Sequence, residues 1–160
     1  MDYDAVLEQA LKQTLDDYEG GRVRLHFERD LQGYLYHKCI VQLERERHPP
    51  PFPVLLEVDD LDLVLGPGAQ TAVELKFEPY RKPQGVVFLW EKDGPNSVEK
   101  DLKKLRRFAV AGRSAHFIMI EATPDEDYWF PSRTAALGIP EKEWRRRRGF
   151  VWIHHQVAGK

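Results

Sequence analysis

One cysteine and two methionines in 160 residues, and no apolar run of membrane-spanning length, set the first limits on this chain. Cys39 alone cannot close an internal disulfide, and its place in an apolar helical stripe suits a small buried hydrophobe. No cysteine and histidine spacing of the zinc type occurs. His37, His48, His116, His154 and His155 have no partners at metal-site spacing, so structural roles are expected of them. The opening Met1-Asp2-Tyr3-Asp4 lacks the basic stretch and apolar run of a secretory signal, and no window approaches the length of a bilayer span. Cytoplasmic residence without a membrane partner is the resulting expectation. Charge of one sign is also lacking. A formal net charge of -2 argues against a surface given wholly to nucleic acid, so any basic footprint must be local. Gly66-Pro67-Gly68 is not followed by the lysine and serine of a phosphate-cradling loop. Gly112-Arg113-Ser114-Ala115-His116 is no nucleophile elbow, which removes support for serine acyl transfer.

What is present suits one compact α/β domain over residues 1–160. With 42% hydrophobic and 31% charged residues, the chain can bury one ordinary core. Leu7, Leu11, Leu15 and Tyr18 predict a first helix from Tyr3 to Tyr18, stopped by Gly20-Gly21. A short strand is expected at Arg22 to His26, then a second helix from about Phe27 to Glu44 that buries Phe27, Leu31, Tyr34, Leu35 and Cys39. The rigid connector Pro49-Pro50-Pro51-Phe52-Pro53 leads to strands at Val54 to Val58, Leu61 to Leu65 and Thr71 to Phe77. An additional strand is expected at Gly85 to Trp90. Asn96 and Glu99 form a capping pair for a helix running to about Ala111, with Val98, Leu102, Leu105 and Ala109 as its buried stripe. A central strand at His116 to Ile120, a short helix near Glu141 to Arg147 and a strand at Phe150 to His154 complete the chain.

The pattern richest in chemistry is the hairpin formed by the second and third of these strands around Gly66-Pro67-Gly68-Ala69-Gln70. If Leu65 pairs with Thr71, Asp62 lies opposite Glu74, with Cβ atoms about 5 Å apart. Strand alternation then puts Lys76 on the face of Glu74, while Val73, Leu75 and Phe77 point into a core. A slip of one residue would separate the two acids onto opposite faces. A solvated strand face carrying a cross-strand ion pair is the plain alternative. The other acid-x-lysine triplet, Asp101-Leu102-Lys103, lies in a helical pattern where residues two apart diverge, and is set aside.

Asp62 with Glu74-Leu75-Lys76 resembles the active-site motif of the PD-(D/E)xK nuclease superfamily, the restriction-endonuclease-like fold. Residues 27–122 follow the order of that core: a helix, a three-stranded meander, a helix and a further strand. The segment before it would be an N-terminal helix, and the segment after it a C-terminal helix-strand extension. The resemblance carries Asp62 onto the motif aspartate, Glu74 onto the second acid and Lys76 onto the lysine. The motif's proline is absent, since Leu61 precedes Asp62. By the resemblance, the chain would be a Mg²⁺-dependent endo- or exodeoxyribonuclease hydrolysing phosphodiester bonds in DNA, with Mn²⁺ able to substitute. Asp62, Glu74 and the Leu75 carbonyl would supply the hard oxygen ligands that Mg²⁺ prefers, and Lys76 would orient the attacking water or steady the phosphorane. A further acid from the helix before the meander is best matched by Glu28, with Glu8 as its rival. Asp60, opposite Lys76 in this register, could pair with it instead.

Cations for nucleic acid are offered by Lys100, Lys103, Lys104, Arg106 and Arg107 on the helix after the hairpin. The dense run Arg145-Arg146-Arg147-Arg148, flanked by Trp144 and Phe150, suits backbone tracking with base stacking. Each set has the ordinary reading of a solvated face or a favourable helix end. DNA is the expected partner and RNA is not separable from it by the hydrolytic residues alone. Either cutting is directed by substrate structure or a partner supplies specificity, and cutting both strands of a duplex would favour a homodimer. The alternative from another class is a binding or assembly module that keeps the fold without catalysis.

Overall fold

The computed structural model describes residues 1–78, 97–110, 112–122, 135 and 137–159. Helix α1 spans Tyr3–Glu19, and Oδ1 of Asp2 accepts the backbone N–H groups of Asp4 and Ala5, each at 3.1 Å. This cap satisfies donors that the first turn leaves without helical partners. Helix α2 spans Glu28–Arg45, where Asp30 reaches back to the N–H groups of His26 and Phe27 at 2.8 and 3.0 Å. Phe27, expected in the buried stripe, precedes the helix as its N-cap and is exposed, and Tyr34 is half-buried. The strand expected at Arg22 to His26 does not form. Arg22 and Val23 instead donate to the carbonyl of Asp17, so the chain folds back onto the end of α1.

Strands β1 (Val54–Val58), β2 (Leu61–Leu65) and β3 (Thr71–Glu78) form an antiparallel meander. Helix α3 (Val98–Phe108) then precedes β4 (Ser114–Ala122), which lies parallel to β3. Strands β5 (Trp144–Arg147) and β6 (Phe150–Gln156) complete an open six-stranded sheet in the order β1-β2-β3-β4-β6-β5. Only the β3–β4 pairing is parallel, so the architecture is mixed α/β with a mostly antiparallel sheet.

Alternation along the strands divides the interior in two. Leu7, Leu11 and Leu15 of α1 and Leu31, Leu35 and Cys39 of α2 pack on one face with Val73, Leu75, Ile118 and Trp152. Val98, Leu102 and Leu105 of α3 cover the other face with Ala72, Phe117, Met119 and Ile153. Cys39 is fully buried, which pushes its thiol up to about 12. The β2–β3 turn depends on Gly66 at φ 87°, where a Cβ atom would stand 2.9 Å from the ring of Tyr3.

Three expectations change. Helix α3 is capped by Ser97, whose Oγ accepts the N–H of Lys100 at 3.2 Å, and it ends at Phe108. Asn96, Ala111 and the strand expected at Gly85 to Trp90 lie outside the described residues. The helix expected at Glu141 to Arg147 is a single 3-10 turn, Glu141–Glu143, followed by β5, so the C-terminal extension is a strand hairpin. Gly149 at φ 81° closes that hairpin, and the gain of a paired edge strand outweighs the helical propensity of four arginines. Among the described residues, no helix is long and apolar enough to cross a membrane.

Candidate active site

The β2–β3 register is Leu65 with Thr71, Val64 with Ala72 and Leu63 with Val73. The regular ladder stops there. Oδ2 of Asp62 takes the backbone N–H of Leu75 at 2.7 Å, and the Asp62 carbonyl accepts Nε2 of Gln32 from α2 at 2.8 Å. On the other side, β1 skips a pairing at Glu57, which has φ 53°. The register is the same on both sides of that gap, so the couple left unpaired is Glu57 with Asp62. Asp62 is thus held by side-chain bonds where both ladders open.

Glu74 and Lys76 point from β3 toward α3 and are 1% and 6% exposed. Nζ of Lys76 meets Oδ2 of Asp101 at 2.8 Å, Oε2 of Glu28 at 3.3 Å and the Leu75 carbonyl at 3.1 Å. Lys104, one turn along α3 from Asp101, places Nζ 2.6 Å from Oε1 of Glu74 and 3.3 Å from Oδ1 of Asp101. Its third partner is the Asp60 carbonyl at 2.8 Å. Asp60 therefore contributes its backbone to Lys104, and Lys76 pairs with Asp101 in its place.

This cluster sets the protonation of its members. Burial is the main cause that pushes Glu74 up to about 8, reinforced by Asp62 and Asp101 and opposed by Lys104. Burial likewise raises the carboxyl of Glu28 against the pull of Lys76. For Lys76, burial alone would favour the neutral amine, but Asp101 and Glu28 outweigh it and hold the ammonium above its ordinary range. Lys104 is raised in the same way by Glu74.

Comparison of the chain with protein-family models, curated proteins and solved structures found no match. The site therefore stands on its geometry. Glu28, Asp62, Glu74 and Lys76 lie in one cluster. Asp101 joins them although its triplet gave no reason to expect it. The signal was the helical stripe: Val98, Asp101, Leu102 and Leu105 are all buried on one side of α3, so an acid stands in an apolar row. Lys104 faces the cluster, whereas Lys100, Lys103 and Arg107 are exposed and Lys103 pairs with Glu99 at 2.9 Å. Arg106 donates to the Leu137 carbonyl at 2.9 Å. Arg145 and Arg146 lie on β5, separated from β3 by β4 and β6, which puts them about 14 Å across the sheet. Glu8 belongs to α1, which packs on the opposite face from Glu74 and Lys76.

Among the described residues, no three His, Cys, Asp or Glu side chains are arranged as a ready metal cage. Mg²⁺ sites use one or two carboxylates with water and substrate oxygens completing the shell. Asp62 and Glu74 fit that donor set. Glu28, Asp62, Glu74 and Asp101, when ionised, leave two negative charges uncompensated by Lys76 and Lys104. One divalent cation matches that excess. Glu74 would have to give up its contact with Lys104 to become a ligand, and the Leu75 carbonyl its contact with Lys76.

Proposed function

We propose that this chain is a metal-dependent nuclease that hydrolyses phosphodiester bonds in DNA, built on a restriction-endonuclease-like core of α2, β1–β3, α3 and β4. The observation that carries this reading is the bond from the Leu75 N–H to Asp62, which fixes one carboxylate beside buried Glu74 and Lys76 in a site with excess negative charge. In this reading Asp62 and Glu74 hold Mg²⁺ or Mn²⁺, with the Leu75 carbonyl and Glu28 as further oxygen donors. The ion supplies a lowered pKa for its water and charge neutralisation at the phosphate during in-line attack. Lys76 donates to the attacking water or to the non-bridging phosphate oxygens. Asp101 keeps Lys76 charged and aimed from behind, and Lys104 holds Glu74 until the ligand set assembles. Lys100, Lys103 and Arg107 provide the nearby exposed cations for the DNA backbone.

The Lys104–Glu74 contact favours a second reading, in which the ion pairs close on themselves and the chain is a nucleic-acid-binding or assembly module. The discriminating experiment incubates wild type and Lys76→Ala with labelled single-stranded, duplex and branched DNA and with RNA, in Mg²⁺, Mn²⁺ or EDTA. The nuclease reading expects metal-dependent cleavage that falls roughly 100-fold or more in the variant. Binding in EDTA with no cleavage of any substrate would support the module instead.

A further inference from the structure

A second polar constellation lies on the opposite face of the sheet, where α1 meets the β5–β6 hairpin. A cavity of about 420 Å³ opens there, within the size range of small-molecule sites. Its apolar wall is Leu11, Leu15 and Trp152, and its basic groups are Lys12, Arg145 and Arg147. Arg147 is committed to Asp16 and Glu19 at 2.6 and 3.1 Å. Lys12 and Arg145 make no ion pair among the described residues. Arg145 instead lies over the Trp152 ring, 5.2 Å from its centroid. Among the described residues, Glu8 is the only acid lining the cavity. The wall therefore presents two cations free to take an anion.

His154 also lines this cavity, and a buried hydrogen-bonded chain runs behind it. His116, 2% exposed, places Nδ1 2.9 Å from Nε2 of His154 and Nε2 3.1 Å from Oδ1 of Asp4. Asp4 also accepts Thr71 Oγ1 at 2.8 Å and Ser114 Oγ at 2.7 Å. Burial would raise its carboxyl, but these hydrogen bonds and His116 bring it below the usual range, so it is an acceptor only. The tautomers follow from that end. His116 donates its Nε2–H to Asp4 and accepts at Nδ1. His154 must then donate its Nε2–H to His116, which leaves a lone pair on Nδ1. Both rings stay neutral, His154 because burial, His116 and Arg145 push it down to about 4. No partner meets that Nδ1 among the described residues.

We propose that this cavity binds a small phosphomonoester, with Lys12 and Arg145 holding the phosphate and Nδ1 of His154 accepting the hydrogen of its P–OH group. A phosphomonoester suits it because its second ionisation lies near 6, so its monoanion, which prevails below that pH, brings both negative charge and a donor. The volume leaves room for an organic body against Leu11, Leu15 and Trp152. Inorganic phosphate and a phosphate on a strand end share the same chemistry, and the apolar wall of Leu11, Leu15 and Trp152 favours a free small molecule with an organic body.

The test is titration calorimetry of the full chain with adenosine 5′-monophosphate, adenosine, inorganic phosphate and a 5′-phosphorylated oligonucleotide. Wild type is compared with Lys12→Ala, Arg145→Ala and His154→Gln. The monophosphate should bind more tightly than inorganic phosphate, and adenosine should not bind. Lys12→Ala and Arg145→Ala, both at exposed positions, should each weaken binding about tenfold. His154→Gln should weaken it too, and the wild-type ring signals of His154 should shift on titration. Absence of monophosphate binding, or binding indifferent to Arg145→Ala, would overturn the site. Tighter binding of the oligonucleotide than of the monophosphate would overturn the small-molecule occupant. Lys12→Ala and His154→Gln do not touch Asp62, Glu74 or Lys76, so DNA cleavage should be unchanged in both.

Discussion

Lys104 Nζ stands 2.6 Å from Oε1 of Glu74, so a lysine from α3 occupies the acid that the hairpin offers to a cation. Any divalent ion at Glu74 competes with that ammonium. Lys104→Met should therefore tighten Mg²⁺ binding about tenfold, a gain of roughly 1.4 kcal/mol. Calorimetric titration of the variant and wild type with Mg²⁺ checks this, and equal affinities would contradict it.

Asp101 and Lys76 form an ion pair whose side chains are 6% and 7% exposed. Removing Asp101 leaves the buried Lys76 ammonium with only the longer ion pair to Glu28 at 3.3 Å. Asp101→Ala should lose about 3 kcal/mol of folding stability in urea denaturation. A loss under about 1 kcal/mol, the range of exposed pairs, would mean that water reaches Lys76 freely.

Gln32 touches the site only through the Asp62 carbonyl. Gln32→Ala should cost about 1 kcal/mol of stability and, if Asp62 acts in cleavage, lower kcat with little change in KM. A rise in KM at constant kcat would place Gln32 in substrate binding instead.

The hairpin was legible because its turn is chemically marked, whereas its register was conditional on the turn geometry, which the structure supplies. Gly66 and Gly68 both take positive φ, and the five residues between Leu65 and Thr71 leave one pairing that keeps Leu63, Leu65, Val73 and Leu75 together in the core. The main helices were legible from their apolar stripes for the same reason. What the sequence hid was tertiary. Asp101 and Lys104 read as surface residues in a charged helix, and only the packing of α3 against β3 turns them inward. The arginines of β5 were misread because their partner strand follows a turn at Arg148-Gly149 without the usual asparagine or aspartate signal. His116 and His154 lack any shared sequence spacing. They meet because β4 and β6 run antiparallel, with Ile118 opposite His154.

Glu121 is 5% exposed and lies beside Glu78 in the parallel ladder. Burial first, then Glu78, raises its carboxyl from an ordinary 4.5 to about 7. In the folded state it keeps its proton longer than in the unfolded chain, so stability falls as pH rises between 4.5 and about 7 and the loss is complete above that. Glu121→Gln should reduce the slope, leaving the share that Glu74 and Glu28 contribute, and stabilise the protein at pH 8 by on the order of 2 kcal/mol. Denaturation across that pH range measures it, and a variant with an unchanged slope would contradict the assignment.

The central claim is that Asp62 serves metal-dependent phosphodiester hydrolysis. The most direct test is cleavage of end-labelled DNA by wild type and Asp62→Asn with saturating Mg²⁺, after circular dichroism has established that both are folded. The account predicts cleavage by wild type that EDTA abolishes, and a loss of roughly 100-fold or more in Asp62→Asn with DNA binding retained. Equal cleavage by the two proteins, or DNA binding without cleavage by either, would contradict it.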